Sequence, residues 1–127
     1  MNVVDSSAWL EYFASGPNAD KFAKAIENVD NLIVPSVCIA EVFKRVLQQR
    51  DEHQALQVVA LMQQGTVASL DAHLAISAAK LGVEQKLPLA DSIVLASARA
   101  HSASLWTQDA DFDGIDGVHY FPKAKVV

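Results

Sequence analysis

The chain has 127 residues, a net charge of −5, and is 51% apolar and 20% charged. These values predict one domain spanning residues 1–127 and exclude a disordered or collagen-like chain; no apolar run approaches the roughly 18 residues of a membrane span. The acidic balance also excludes a general nucleic-acid binder, whose basic surface draws affinity from counterion release, so an acidic protein that handles RNA or DNA needs a local basic patch or bound cations.

The first element is Asn2-Val3-Val4, a β-branched run that predicts a buried strand ending at Asp5. Ser6-Ser7 open a short helix through Trp9, Leu10, Tyr12 and Phe13, stopped by Gly16-Pro17. A second helix is expected over Ala19–Asn28, then a short strand Leu32-Ile33-Val34 closed by Pro35. From Ser36 to about Arg50 the pattern is helical: Ile39, Val42, Phe43, Val46 and Leu47 share one side, and Glu41, Lys44, Arg45 and Gln48 the other. Ala55–Gln63 predicts a helix ended by Gly65, and Thr66-Val67-Ala68 a third strand. Asp71–Leu81 predicts a helix with Gly82 as its C-terminal cap. Leu89–His101 is apolar almost all round, as a helix buried on most sides requires, and Pro88 suits its first turn. Ser104–Thr107 and Val118–Phe121 are the last two strands, and a lysine-containing tail follows. Strands thus alternate with helices, which implies an α/β fold with a parallel central sheet and helices on both faces. In such sheets ligands bind at the carboxyl ends of the strands, where Asp5 and Asp109 both fall.

Ten of the fifteen acidic residues are aspartates, and four of these crowd into Asp109–Asp116. Each candidate has an ordinary structural role beside the functional one. Asp5 sits where an N-cap would. Asp91 lies in the first turn of its helix, where the macrodipole favours an anion, yet this helix is otherwise apolar and a buried carboxylate needs a partner. Glu41 has Arg45 one turn along, an exposed pair worth only about 0.3–0.5 kcal/mol. Asp109, Asp111, Asp113 and Gly114 match the opening of a calcium-binding EF-hand loop, but its twelfth position is Tyr120 rather than Glu and the preceding element is a strand, so that reading fails. Asp109 then stands as a strand-end carboxylate, with Asp111, Asp113 and Asp116 mainly as turn formers and solvated charge. His53, His73, His101 and His119 lack metal-ligand spacing, and Ser6-Ser7 lack the glycines of a nucleophile elbow. The single cysteine, Cys38, excludes an internal disulfide and a thiolate-rich zinc site, and with no basic-then-apolar leader the expected compartment is the cytoplasm.

Taken together, the motifs resemble PIN-domain ribonucleases from Val3 to Phe121. Val3-Val4-Asp5-Ser6-Ser7-Ala8-Trp9 resembles the opening of that family; Ala40-Glu41-Val42, Leu87-Pro88-Leu89-Ala90-Asp91 and Thr107-Gln108-Asp109-Ala110-Asp111-Phe112 match its later motifs in order. The length looks most like the VapC toxins of toxin–antitoxin pairs. The resemblance implies a metal-dependent endoribonuclease acting on tRNA or other structured RNA, an antitoxin partner and a homodimer. It implies Asp5, Glu41, Asp91 and Asp109 as direct or water-mediated ligands of Mg²⁺ or Mn²⁺, the ions that suit oxygen-only donors. Ser7 and Thr107 are candidates for orienting the ligands or the phosphate, and Asp111 for a fifth acid. Lys44 and Arg45 are candidates for gripping the RNA backbone, with a solvated helix face as their ordinary role. Two other readings stay open: a PIN-like RNA- or protein-binding module without useful catalysis, and a phosphohydrolase of the haloacid dehalogenase type, although that family wants a second Asp where Ser7 stands.

Overall fold

Five short parallel strands form one sheet in a computed structural model that describes residues 1–124; the end of the lysine-containing tail lies outside the described residues. The order along the chain is β1 (Asn2–Val4), α1 (Ser6–Phe13), α2 (Ala19–Ile26), β2 (Leu32–Pro35), α3 (Ser36–Gln49), α4 (Glu52–Met62), β3 (Thr66–Ala68), α5 (Ala72–Gln85), α6 (Leu89–Ala100), β4 (Ser104–Thr107) and β5 (Val118–Tyr120). Single 3₁₀ turns at Val29–Asn31 and Ala110–Phe112 precede β2 and β5.

The strand order is β3-β2-β1-β4-β5. Moving from β1 to β2 to β3 the chain steps one way across the sheet; after β3 it returns to the far side of β1. Right-handed crossovers then put α1–α4 on one face and α5–α6 on the other. The switch point lies between β1 and β4, which pair as Asn2↔Ser104, Val3↔Leu105 and Val4↔Trp106. The expected α/β fold with a parallel sheet is therefore present.

The core forms where apolar strand residues meet the helices. Val3, Val4, Val34 and Leu105 are fully buried, as are Trp9, Phe22, Val42 and Phe112. Helix α6 is buried continuously from Ser92 to Ala98, as its apolar circumference requires, and packs on β1, β2 and β4. Polar Ser92 and Ser97 survive there by returning their hydroxyls to the helix backbone, at Pro88 O (2.9 Å) and Ile93 O (2.8 Å).

Several boundaries depart from the sequence pattern. Helix α4 starts at Glu52 rather than Ala55, because Asp51 caps it by accepting from the Gln54 amide at 2.8 Å. Asp71 plays the same part for α5, accepting from Leu74 N at 2.8 Å. Leu47, on the predicted apolar side of α3, is 44% exposed, since the end of that helix runs past the core. Gly82 is not a cap. Helix α5 continues to Gln85, and Lys86 ends it in the left-handed conformation at φ 56°. Gly82 is needed for a different reason: α5 and α6 approach so closely that a Cβ there would overlap Ser92 Oγ.

Gly82→Ala should therefore destabilise the protein by about 1–2 kcal/mol in urea unfolding, against the gain of up to about 1 kcal/mol that the same change gives in an open helix. Ser92→Ala in the same chain should recover part of the loss, because the two positions share one contact. A stabilising Gly82→Ala would show that the helices do not pack this tightly.

Candidate active site

The site is built on the adjacent ends of β1 and β4. The Asp5 amide donates to Trp106 O at 2.9 Å, which fixes the end of β1 against β4. Asp5 occupies the N-cap position of α1, but its side chain makes no capping bond. Its carboxylate instead accepts from Ser7 Oγ (2.8 Å) and Thr107 Oγ1 (2.9 Å), both at Oδ2. Only 3% of Asp5 is exposed. Burial pushes its carboxyl above the ordinary value, the two hydroxyls pull it back, and the charges of Glu41 and Asp109 add to the rise. The Thr107 hydroxyl also accepts from the Asp109 amide at 2.9 Å, so one buried side chain positions two of the acids.

Asp109 follows β4, and its Oδ1 accepts from the Asp111 amide at 2.9 Å, closing the turn that brings Asp111 back over the sheet edge. Asp91 arrives from the other face in the first turn of α6. Carboxylate oxygens of Asp91, Asp109 and Asp111 all lie within 4.8 Å of one another. The Asp91 carboxyl is pushed up to about 7, first by burial and then by the charges of Asp109 and Asp5. These effects outweigh the helix macrodipole, which favours the anion.

Glu41 lines the same cavity from α3 but stands outside that trio. Its Oε1 accepts from Ser6 Oγ at 2.5 Å, and among the described residues no hydrogen bond joins it to Arg45. The cavity, about 720 Å³, runs between α1 and α3 and is lined by Lys44, Arg45 and Lys123 as well as by Asp5, Glu41, Asp91 and Asp109. The structure thus brings Asp5, Glu41, Asp91 and Asp109 to one cavity, with Asp111 beside Asp91 and Asp109. Asp111 enters the tightest cluster, and Glu41 stands outside it, held by Ser6 next to Asp5.

The PIN domain family model matches residues 3–118. The chain belongs to the PIN domain family. Members of this family are nucleases. Solved PIN-fold structures match closely in shape. A toxin–antitoxin complex from Klebsiella pneumoniae is 22% identical at a TM-score of 0.79, covering 94% of this chain and 96% of that one. A Mycobacterium tuberculosis toxin that cleaves the sarcin–ricin loop is 18% identical at 0.74, covering 91% and 95%. A VapBC complex from Rickettsia felis bound to a promoter DNA fragment is 12% identical at 0.72, covering 95% and 97%. No curated protein sequence matches the chain.

Three residues at this PIN site carry no chemical signal in the sequence. Ser6 holds Glu41 across 35 positions. Gln108 is 8% exposed and accepts from Asn18 Nδ2 at 3.2 Å. Asn18, itself buried, also donates to Pro122 O at 3.0 Å and so ties the α1–α2 connection to the end of the chain. Each is an ordinary polar residue whose partner lies far away in sequence. Cys38 is fully buried; burial, and then the charges of Asp5 and Glu41, push its thiol well above the ordinary range, and it is an inert core residue.

The donor set fits a hard divalent cation: three carboxylate oxygens in close array, and an Asp91 that holds a proton to about pH 7 when no positive charge is near. Raised in the folded state above its ordinary 3.8, the Asp91 carboxyl contributes stability while protonated and loses it as pH rises through about 7. With chelator present, melting temperature should fall between pH 5.5 and pH 8.5. Asp91→Asn, uncharged throughout, should remove most of that slope and melt higher than wild type at pH 8.5. An equal slope in the variant would place the repulsion elsewhere.

Proposed function

We propose that the protein is a metal-dependent endoribonuclease that hydrolyses RNA phosphodiester bonds, and the toxin component of a toxin–antitoxin pair. The observation that carries this reading is the convergence of Asp91, Asp109 and Asp111 within 4.8 Å beside the buried Asp5, at the strand ends of a PIN fold. Asp5, Glu41, Asp91 and Asp109 are the proposed catalytic and metal-holding residues, with Asp111 as a fifth acid. Bound there, Mg²⁺ or Mn²⁺ would lower the pKa of a coordinated water and offset charge on the attacked phosphate.

The chain's own residues supply the geometry. Ser7 and Thr107 fix one oxygen of Asp5, so its carboxylate holds one orientation. Ser6 holds Glu41 on the side of Asp5. Lys44 and Arg45 add positive charge beside the acids, where an RNA phosphate must settle. Thr107 and the β4 backbone set Asp109, and α6 sets Asp91. The aspartate that the dehalogenase reading wants at position 7 is replaced by a hydroxyl engaged with Asp5, which favours the nuclease.

Partners follow from the same reading. A cognate antitoxin is supported by the toxin–antitoxin complexes among the matching structures. A homodimer is supported by the outer face of α5, where Ile76 (60% exposed) and Val83 (82% exposed) stand two turns apart on one stripe. No described helix is long and apolar enough to cross a membrane, which agrees with a cytoplasmic nuclease.

Purified protein free of any partner should cut total cellular RNA into discrete fragments with Mg²⁺ or Mn²⁺ and leave it intact with EDTA. Asp5→Asn and Asp91→Asn should each lower cleavage by at least about 10²-fold, since each removes a ligand charge from the site, while keeping the circular dichroism of the wild type. Retained cleavage in both variants would sink the proposal. For the dimer, Val83→Glu should shift the protein to a monomer in sedimentation; an unchanged mass would remove α5 as the interface.

A further inference from the structure

Asn18 stands at the N-cap position of α2 but makes no capping bond, although it is only 4% exposed. Its hydrogen bonds go elsewhere. The backbone amide donates to Glu11 Oε2 at 2.9 Å. The side-chain Nδ2 donates to Pro122 O at 3.0 Å and to Gln108 Oε1 at 3.2 Å, and Oδ1 accepts from Lys21 Nζ at 3.3 Å. A backbone carbonyl can only accept and an ammonium can only donate. Pro122 and Lys21 therefore fix which way the Asn18 amide faces, and Gln108 must offer its oxygen. Both Nδ2 protons and Oδ1 are engaged, as a buried amide requires.

The bond to Gln108 falls where the sheet stops supporting the chain. β4 ends at Thr107 and β5 at Tyr120, and one further backbone bond, from Phe121 N to Thr107 O at 2.9 Å, closes the ladder. Pro122 has no N–H with which to extend it. Yet the residues just past β4 carry the site. The Gln108 amide donates to Ser7 Oγ at 3.3 Å, and that hydroxyl donates to Asp5 Oδ2. Asp109 follows at once, and its carboxylate faces those of Asp91 and Asp111, whose like charges push it away. Past the last ladder bond, this segment is held by Thr107 Oγ1 on the Asp109 amide and by Asn18 on the Gln108 side chain.

We propose that Asn18 is a positioning residue of the acid site. It bridges the two chain segments that leave the sheet side by side. Through Gln108 it keeps Asp109 in array with Asp91 and Asp111, and keeps Ser7 aimed at Asp5. Asn18 itself touches neither cation nor substrate. This role rests on the metal-holding reading of the acids above, whereas the clamp is a property of the metal-free chain.

Two measurements on the full chain separate the clamp from that reading. The first is amide hydrogen exchange, residue by residue, without metal. Asn18→Leu and Gln108→Met remove opposite ends of one bond. Each should speed exchange at the Gln108 and Asp109 amides by about tenfold, and the double variant by no more than either alone. The Asp5 amide, bonded to Trp106 O, should exchange as in wild type. The second is calorimetric titration with Mn²⁺. Both single variants should bind it at least about tenfold more weakly. Lys21→Ala, which removes another bond of Asn18 and leaves the one to Gln108, should bind it as wild type does. Exchange at Gln108 and Asp109 unmoved by both single variants, additive effects in the double variant, or Mn²⁺ affinity that falls equally with Lys21→Ala would overturn the proposal. If Asn18→Leu fails to fold, Gln108→Met carries both measurements. A wild type that binds no Mn²⁺ would instead overturn the metal-holding reading, and exchange at the two amides would then decide the clamp alone.

Discussion

Like charges crowd the ends of β1 and β4, and the rest of the molecule is arranged to tolerate them. Asp5, Asp91, Asp109 and Asp111 meet where burial weakens the screening of water; a pair of unit charges about 4 Å apart repels by about 4 kcal/mol at an effective dielectric of 20. Three devices reduce that cost. Hydroxyls of Ser7 and Thr107 solvate Asp5 in place of water. Asp91 keeps a proton to about pH 7. Asp111 stays exposed to solvent. What remains is a standing demand for positive charge, which is the property a cation site needs.

The fold holds Asp5, Asp91 and Asp109 together despite this repulsion because each is anchored by a paired strand or a buried helix. Asp5 and Asp109 follow strands that are paired to each other at the centre of the sheet. Asp91 rides on the most buried helix, with seven consecutive buried residues from Ser92 to Ala98 just beyond it. That helix is locked in turn by α5, whose Gly82 admits Ser92 at a distance no side chain would allow. The apolar circumference of α6 and the glycine of α5 therefore serve the site, although neither touches it.

The same dependence explains what the sequence makes legible and what it hides. The elements are marked by local signals: β-branched runs, 3.6-residue periodicity and the capping residues. Asp5 and Asp109 are readable because a strand followed by Asp is a local pattern and because alternating strands and helices predict which sheet edge they share. Glu41 is readable only by resemblance, since Ser6 reaches it from 35 residues away. Gln108 and Asn18 are 90 residues apart, and neither carries a chemical mark. Asp111 reads as a turn former, which it is; that the same turn also delivers its carboxylate to Asp91 is a tertiary fact. Gly82 misleads for a related reason: near the end of an apolar periodic stretch a glycine reads as a cap, and only the partner helix shows that it marks a close approach.

A net charge of −5 and the proposed RNA substrate are compatible once the charge is resolved in space. The cavity carries both signs of charge: the carboxylates at the strand ends, and Lys44 and Arg45 about one turn along α3 from Glu41. In the proposed nuclease, an RNA phosphate beside Lys44 and Arg45 would be favoured and one facing the acids would not. That single phosphate is the unfavourable one until positive charge is supplied at Asp91, Asp109 and Asp111. In the proposed nuclease, the basic residues would favour a phosphate backbone while the acids would leave the phosphate facing them in need of a cation, so the same charge pattern would mark the reactive position.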